Sequence, residues 1–182
     1  MVERAAGTSR WRRGVWAVPI MILLAAAIAN QTVPGFNWSG RDFIGVGLVL
    51  GAACLAWEVA VRGAASNFYR AGAALAIAGA LVMVWVNLAV GMIGNEDNRA
   101  NLVFFVLLAL GAAGALIARL RPAGMARTMR LMAGGQALIA AAIVLTGPDR
   151  AIALICLLFC GLWALSGHLF AVAARPASHA TA

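Results

Sequence analysis

The sequence predicts an all-α fold: a polytopic transmembrane bundle of six spans with the N-terminus and the C-terminus cytoplasmic. Three observations support this prediction: the composition, the length of the apolar runs and the distribution of arginine. Of the 182 residues, 64% are hydrophobic and 11% are charged, whereas soluble domains carry about 25% charged residues. Such a composition suits a hydrocarbon solvent, and the length of the chain fits one domain.

Six apolar runs follow one another along the chain, separated by short polar or basic segments. Each run has about 17 to 25 residues, enough to cross roughly 30 Å of hydrocarbon at about 1.5 Å per helical residue. The predicted spans are residues 14–33, 43–61, 71–93, 101–118, 131–147 and 150–174. A basic cytoplasmic segment (1–13) precedes this six-helix domain (14–174), and a cytoplasmic tail (175–182) follows it.

The boundaries follow from residues that tolerate, end or begin helices. Pro19 falls in the first turns of the first run, where a helix accepts proline best. Gly94 is expected to end the third helix, and Asn98 or Asn101 to cap the fourth. The basic linker 119–130 is expected to lie at the inner headgroups and to anchor the bundle before the fifth helix begins.

The distribution of arginine predicts on which side of the membrane each loop lies. All 14 basic residues of the chain are arginines. With the N-terminus inside, the inner side receives Arg4, Arg10, Arg12, Arg13, Arg62, Arg70, Arg119, Arg121, Arg127, Arg130 and Arg175. The outer side receives Arg41, Arg99 and Arg150, each beside an acidic residue. This excess is the positive-inside pattern and predicts cytoplasmic termini. Because the arginines are scattered between apolar runs, we expect the net charge of +8 to attract anionic lipid headgroups, not nucleic acid.

Two alternatives concern the organisation of the spans. Arg12-Arg13, the following apolar stretch and Ala27-Ile28-Ala29 resemble a cleavable signal peptide, whose removal would leave five spans. Retention is favoured, since apolar character continues through Ile28. Separately, the tetrapeptide at 50–53 recurs at 110–113, as a parallel duplication of two helices would require. Chance explains the recurrence of this tetrapeptide at least as well, because Ala, Gly and Leu are so common in this chain.

Small residues predict how the helices pack. Gly47-x-x-x-Gly51 in the second span and Gly111 with Gly114 in the fourth would let backbones approach closely. Packing inside the bundle is favoured over dimerisation, although a homo-oligomer or another membrane protein as partner stays open.

Four polar residues fall at membrane depth, where each costs about 2–3 kcal/mol or more unless it is satisfied. They are Glu58, Asn87, Gln136 and His168. If all four face one interior, they form a polar network in which Glu58 and His168 would pair as a proton relay. In the favoured interpretation Glu58 bonds Arg62, His168 extends toward the surface, and the two amides bond neighbouring helices.

Chemistry beyond this network has little support in the sequence. Cys54, Cys156 and Cys160 all lie in apolar runs, where thiols behave as small hydrophobic groups. Cys156, Cys160 and His168 share a face of the sixth span, but His168 is two turns beyond Cys160, so no metal is expected. There is no cofactor motif, phosphate-binding glycine loop or nucleophile with a base, and we predict neither a catalytic residue nor an enzyme.

The turn between the third and fourth spans is the densest polar segment of the chain. It lacks the alternation of a calcium-binding loop, yet has more asparagine than capping requires. Contact with a solute or a partner therefore remains open. The candidate contact residues are Asn95, Glu96, Asp97, Asn98 and Asn101.

The stretches NLAVGMIGNEDNRANL and LIARLRPAGMAR resemble an uncharacterised family of small bacterial multi-pass inner-membrane proteins. The resemblance covers about residues 85–127. It implies localisation in the bacterial inner (cytoplasmic) membrane and carries no activity or functional residues with it.

These features favour a non-enzymatic accessory or assembly protein that acts through partner or lipid contacts. The alternative is a small proton-linked or small-solute transporter that uses the network of Glu58, Asn87, Gln136 and His168. A membrane enzyme is the third class and would need a cluster of titratable groups.

Overall fold

The computed structural model describes residues 3–64, 66–147 and 150–175, with side chains from Gly14 onward. These residues form six α helices, and no β strand occurs among them. The helices are α1 (Glu3–Thr32), α2 (Gly40–Val61), α3 (Asn67–Ala89), α4 (Leu102–Ile117), α5 (Pro122–Thr146) and α6 (Arg150–Ala173). Six segments are long and apolar enough to span a membrane, which confirms the predicted all-α, multi-pass architecture.

Large apolar side chains are exposed on all six helices. Ile117 on α4 and Leu145 on α5 are each 84% exposed, for example. A helix that presents apolar side chains outward as well as inward is typical of a membrane span, because lipid tails take the place of water around it.

Several helix boundaries differ from those that the sequence predicts, among them the start of α3 at Asn67 instead of near Ala71. The α1 helix extends back to Glu3, so Pro19 lies in its interior and not in its first turns. The α3 helix ends at Ala89 instead of near Ile93. The α5 helix begins at Pro122 instead of near Leu131, because proline fits the first helical position without losing a hydrogen bond. Beyond Arg175, the predicted tail lies outside the described residues, as does Asp149.

The proline inside α1 leaves a carbonyl group that a second helix satisfies. Proline has no backbone N–H, so the carbonyl of Val15, four residues before Pro19, loses its partner within the helix. The thiol of Cys54 on α2 donates to this oxygen, with an S–O distance of 3.6 Å. Cys54 therefore contributes more than apolar volume to the packing of α1 on α2.

Polar side chains order the connection between α1 and α2. The side-chain oxygen of Asn30 accepts from the backbone N–H of Trp38 at 2.7 Å, and its amide nitrogen donates to the Trp38 carbonyl at 3.2 Å. The backbone N–H and the hydroxyl of Ser39 both donate to Asp42, at 2.6 and 2.7 Å. This pairing resembles a capping box and starts α2 three residues earlier than predicted.

The contacts divide the chain into two compact units, Met1–Val59 and Ala60–Ala182, and the single six-helix domain stays a prediction. The candidate spans in α1 and α2 each have 11% of their residues buried, against 39% in α5 and 33% in α6. The first unit thus holds a helix pair with little interior, and the second holds the packed core.

In the second unit, α5 and α6 form the central pair, with α3 packed on α6 and α4 on α5. Gly72 and Gly79 of α3 lie against Phe170 and Trp163 of α6, respectively, so these two helices are antiparallel. The other neighbouring pairs are antiparallel as well. The starts of α3 and α5 and the ends of α4 and α6 therefore share one end of the unit.

Glycines mark the close helix contacts in both units. Of the predicted packing residues, Gly111 and Gly114 of α4 lie against Met132 and Thr128 of α5. Gly47 lies near the Leu23 side chain, with 3.7 Å from its Cβ position to Leu23 Cδ1, whereas no described atom lies within 4 Å of that position in Gly51. The packing role of Gly51 stays a prediction. Gly135 of α5, whose small size also predicts close packing, lies against Leu107 of α4. Close contacts that the sequence pattern does not indicate are at Gly72, Gly79, Gly124 and Gly167.

An aromatic hydroxyl joins α3 to the connection between α4 and α5. Arg119 and Leu120 both have positive φ angles, 49° and 56°, a region that non-glycine residues rarely occupy. The Tyr69 hydroxyl donates to the Leu120 carbonyl at 2.8 Å. Its ring packs edge-on against Phe170, with centroids 5.0 Å apart. Tyr69 thereby stabilises an unusual backbone turn that the sequence pattern does not reveal.

We expect Gly79→Val to lower the stability of the second unit by about 1–3 kcal/mol, because a side chain there overpacks the α3–α6 contact. A Cβ atom at Gly79 would lie 2.5 Å from Leu162 Cδ2 and 3.1 Å from the Trp163 ring. The matched control is Gly134→Val, since no described atom lies within 4 Å of its Cβ position. Thermal unfolding in detergent is the measurement, and equal shifts for the two variants would contradict the packing.

Candidate functional site

The polar turn between α3 and α4, residues 90–101, is folded around one buried side chain. The side-chain oxygen of Asn101 accepts from the backbone N–H groups of Met92 and Ile93, at 3.0 and 2.7 Å. Its amide nitrogen donates to the carbonyls of Ile93 and Asn95, at 3.3 and 2.7 Å. All the hydrogen-bonding positions of this amide are thus used inside the turn.

Glycines and a second asparagine complete the turn. Gly91 and Gly94 have φ angles of 70° and 73°, which favour glycine. At Gly91 a Cβ atom would collide with the backbone of Asn95. The Asn98 side chain accepts from the N–H of Ala100 at 3.0 Å and caps a short 3₁₀ helix, Arg99–Asn101. Asn98 thus caps the 3₁₀ helix that precedes α4 and not α4 itself, and Asn101, at the N-cap position of α4, makes no side-chain capping bond.

The candidate contact residues of the turn divide by exposure. Asn101 is 4% exposed and is occupied by the backbone of the turn. The other four candidates are exposed, as is Arg99 beside them. The turn therefore presents amide and charged groups on a backbone that a buried amide holds in place.

The charges of the second unit separate by end. Glu96 and Asp97 lie in the turn, together with Arg99, and Arg150 starts α6 at the same end. The other end carries exposed arginines and, among its described residues, no acidic group. These arginines are Arg70, Arg119, Arg121, Arg127, Arg130 and Arg175.

Two of the predicted intramembrane polar residues are buried in the second unit. Asn87 on α3 is 3% exposed, and its amide nitrogen donates to the Met83 carbonyl of its own helix at 2.8 Å. Gln136 on α5 is fully buried. Within the described part of the chain, the Asn87 side-chain oxygen and both amide atoms of Gln136 have no hydrogen-bond partner.

The packing places Asn87 and Gln136 at one level along α6. The Cys160 thiol of α6 contacts the Ala133 carbonyl of α5, so the fully buried Cys156, about one turn back along α6, lies at the level of Gln136. From the Gly79–Trp163 contact, Asn87 is about two turns along α3 and Cys156 is about two turns back along α6. Because the two helices are antiparallel, Asn87 lies at the level of Cys156 as well.

Neither of the other two members of the predicted network is fully buried. His168 is exposed on α6, whereas its neighbour Gly167 packs against Met129 of α5. Glu58 is half-buried on α2 in the first unit and has interactions of its own. The pairing of Glu58 with His168 stays a prediction.

The structure adds interior polar groups that the sequence analysis does not select. The Ser166 hydroxyl on α6 donates to the Gly72 carbonyl on α3 at 2.8 Å, entirely buried. Trp163 is fully buried, stacks on Phe159, and has an indole N–H without a partner in the described residues. The spacing of Cys156, Trp163, Ser166 and Phe170 along one helical face was the available signal.

Metal binding finds no support in the part of the chain that the structure describes. No group of three or more His, Cys, Asp or Glu side chains there is arranged to hold an ion. The Cys160 thiol instead donates to the Ala133 carbonyl of α5, at 3.3 Å from sulfur to oxygen.

In comparisons with protein-family models, curated proteins and solved structures, no match to this chain was found. The resemblance over residues 85–127 therefore stays a prediction, and the function is argued from the site.

We expect Asn101→Ala to destabilise the polar turn by roughly 2–4 kcal/mol, because it leaves two buried backbone N–H groups without acceptors. Hydrogen exchange at the Met92 and Ile93 amides reports this local opening. Asn95→Ala is the control, since the Asn95 side chain is exposed and its carbonyl bond is kept. Equal hydrogen-exchange protection of the Met92 and Ile93 amides in the two variants would contradict the role of Asn101 in the turn.

Proposed function

We propose that this chain is a non-enzymatic accessory or assembly protein that contacts a partner membrane protein through its polar turn. The observation that carries the proposal is the construction of residues 90–101. Asn101 and the two positive-φ glycines hold exposed polar side chains in fixed positions. A surface ordered in advance loses less conformational entropy on binding, which favours recognition.

A connection between two helices does not need this arrangement. Helix–helix connections are commonly about 2–8 residues long and need no buried amide. Here the turn projects Asn95, Glu96, Asp97 and Asn98 beyond the apolar surface. Amide and carboxylate groups together suit a partner that offers backbone N–H groups and basic side chains, while lipid contacts cover the helices.

The proposed setting is the bacterial inner membrane, with both termini in the cytoplasm. The arginine-rich end of the second unit supports this orientation, because arginine is retained on the cytoplasmic side. The polar turn would then face the outer side.

Reporter fusions test this orientation. We expect green fluorescent protein to be fluorescent when fused after Arg121 or at the C-terminus, and alkaline phosphatase to be active when fused after Asp97. The physical reason is the cost of moving several arginines across the bilayer. The reversed pattern of reporter activity would contradict cytoplasmic termini.

Replacing the polar side chains of the turn tests the partner contact. We expect the triple variant Asn95→Ala, Glu96→Ala, Asp97→Ala to release a second polypeptide that co-purifies with the wild-type chain. The triple variant keeps Asn101 and both glycines, so its helical content is expected to be unchanged. Size-exclusion chromatography with mass measurement in mild detergent is the assay.

The control for this experiment carries Asn37→Ala, in the connection between α1 and α2, and Arg41→Ala, in the first turn of α2, both exposed and on the same predicted side. It is expected to keep the complex. A wild-type chain that migrates alone, or as a homo-oligomer that the triple variant retains, would contradict the accessory function.

Passage of a small solute is the second candidate, favoured by the buried amides of Asn87 and Gln136. Both are uncharged, and His168 lies exposed on α6. This arrangement favours small-solute transport over proton-linked transport, because an amide side chain does not take up or release a proton.

A further inference from the structure

Four polar atoms in the interior of the second unit have no hydrogen-bond partner among the described residues. They are the side-chain oxygen of Asn87, the oxygen and nitrogen of the Gln136 amide, and the indole nitrogen of Trp163. Two of these atoms accept hydrogen bonds and two donate them. Buried polar groups are paired in the great majority of cases, so a cluster of exceptions points to a ligand.

Three helices contribute to this part of the interior. Asn87 of α3 and Gln136 of α5 lie at the same level of α6, which packs against both helices and contributes Cys156. The Trp163 indole lies deeper in the same interior, about 10 Å along α6 from Cys156. The bond from Asn87 to Met83 fixes the amide nitrogen and leaves its oxygen free to accept.

The surroundings of these amides select an uncharged ligand. Met83, Phe104 and Cys156 are fully buried in the same unit and carry no charge. The described charged side chains of the unit are exposed at its two ends. An ion in such an interior would lose its hydration without a counter-charge, whereas a neutral molecule with a donor and an acceptor would match both amides.

We propose that Asn87, Gln136 and Cys156 form an internal binding site for small uncharged molecules with both donor and acceptor groups, of the size of water or methanol. Such a molecule accepts from the Gln136 amide nitrogen and donates to the oxygen of Asn87 or Gln136, and water, with two O–H groups, donates to both. Its two to four polar partners match what an internal water requires.

This inference is independent of the partner contact at the turn. It supplies a ligand class for the second candidate function, and its test measures occupancy of the site instead of flux. An occupied site in a protein without transport activity would leave the inference standing and remove that candidate.

The native Cys156 thiol serves as the reporter, with D₂O as the probe. In a Cys54→Ala, Cys160→Ala background reconstituted in bilayers, the S–H stretching band reports exchange of the thiol proton for deuterium. We expect exchange on transfer to D₂O. The control thiol, Ala73→Cys with Cys156→Ala in the same background, replaces a residue that is 3% exposed and is expected to keep its S–H band.

Removing the amide tests the role of Gln136 in the site. Gln136→Leu is expected to slow the exchange of Cys156 by roughly tenfold, the effect of about 1.4 kcal/mol. Gln136→Asn keeps an amide and is expected to retain exchange. An unexchanged Cys156 in the folded background protein would overturn the proposal, as would equal exchange of the control thiol.

Thermal unfolding provides a measurement that does not depend on the thiol. If a bound molecule satisfies Gln136, then Gln136→Leu does not raise the melting temperature. If the amide is buried without any partner, its replacement by an apolar side chain of similar size raises the melting temperature, and the proposal is wrong. Should Gln136→Leu fail to fold, Asn87→Leu provides the same comparison.

Discussion

The structure depends on one constraint: inside hydrocarbon no water is present to bond the polar groups of the backbone. Where a helix is interrupted or ends, a side chain takes the place of water. Cys54 donates to the carbonyl that Pro19 leaves unpaired, and Tyr69 donates to the carbonyl of Leu120 in a left-handed turn. Asn101 satisfies four backbone groups at the end of α3. These bonds occur where the helical pattern itself provides no partner.

Between the helices, close approach replaces the hydrophobic effect as the source of stability. Lipid tails are as apolar as leucine, so contact between helices must gain from dispersion and from hydrogen bonds across them. Gly72 and Gly79 bring α3 against the large rings of α6, and the bond from Ser166 to the Gly72 carbonyl fixes their register. The second unit therefore combines small residues on one helix with aromatic residues on its neighbour.

Asn87 and Gln136 depart from these rules, because their amides are buried and not fully paired. Among the described residues of the second unit, the buried side chains of Ser166, Asn101 and Thr128 each bond the backbone, whereas the Trp163 indole N–H is unpaired like the two amides. A buried polar group that is not fully hydrogen-bonded, and does not stabilise the fold in another way, is expected to have a function. The unit thus carries two features of different kinds: an ordered polar turn at one end and an uncharged polar site inside.

The sequence alone determined the number of spans, the helical class and the position of the polar turn, because these follow from the lengths of apolar runs and from residues such as Gly94 and Asn98. Only the tertiary structure decided which polar residues are inside. Gln136 is buried and His168 exposed, although both lie within apolar runs, because burial depends on the face that a neighbouring helix covers. The division into two units likewise rests on contacts between helices, which the pattern of a single helix does not encode. Asn101 could be placed in the turn by sequence, but its central role needed the fold, since its four partners lie six to nine residues before it.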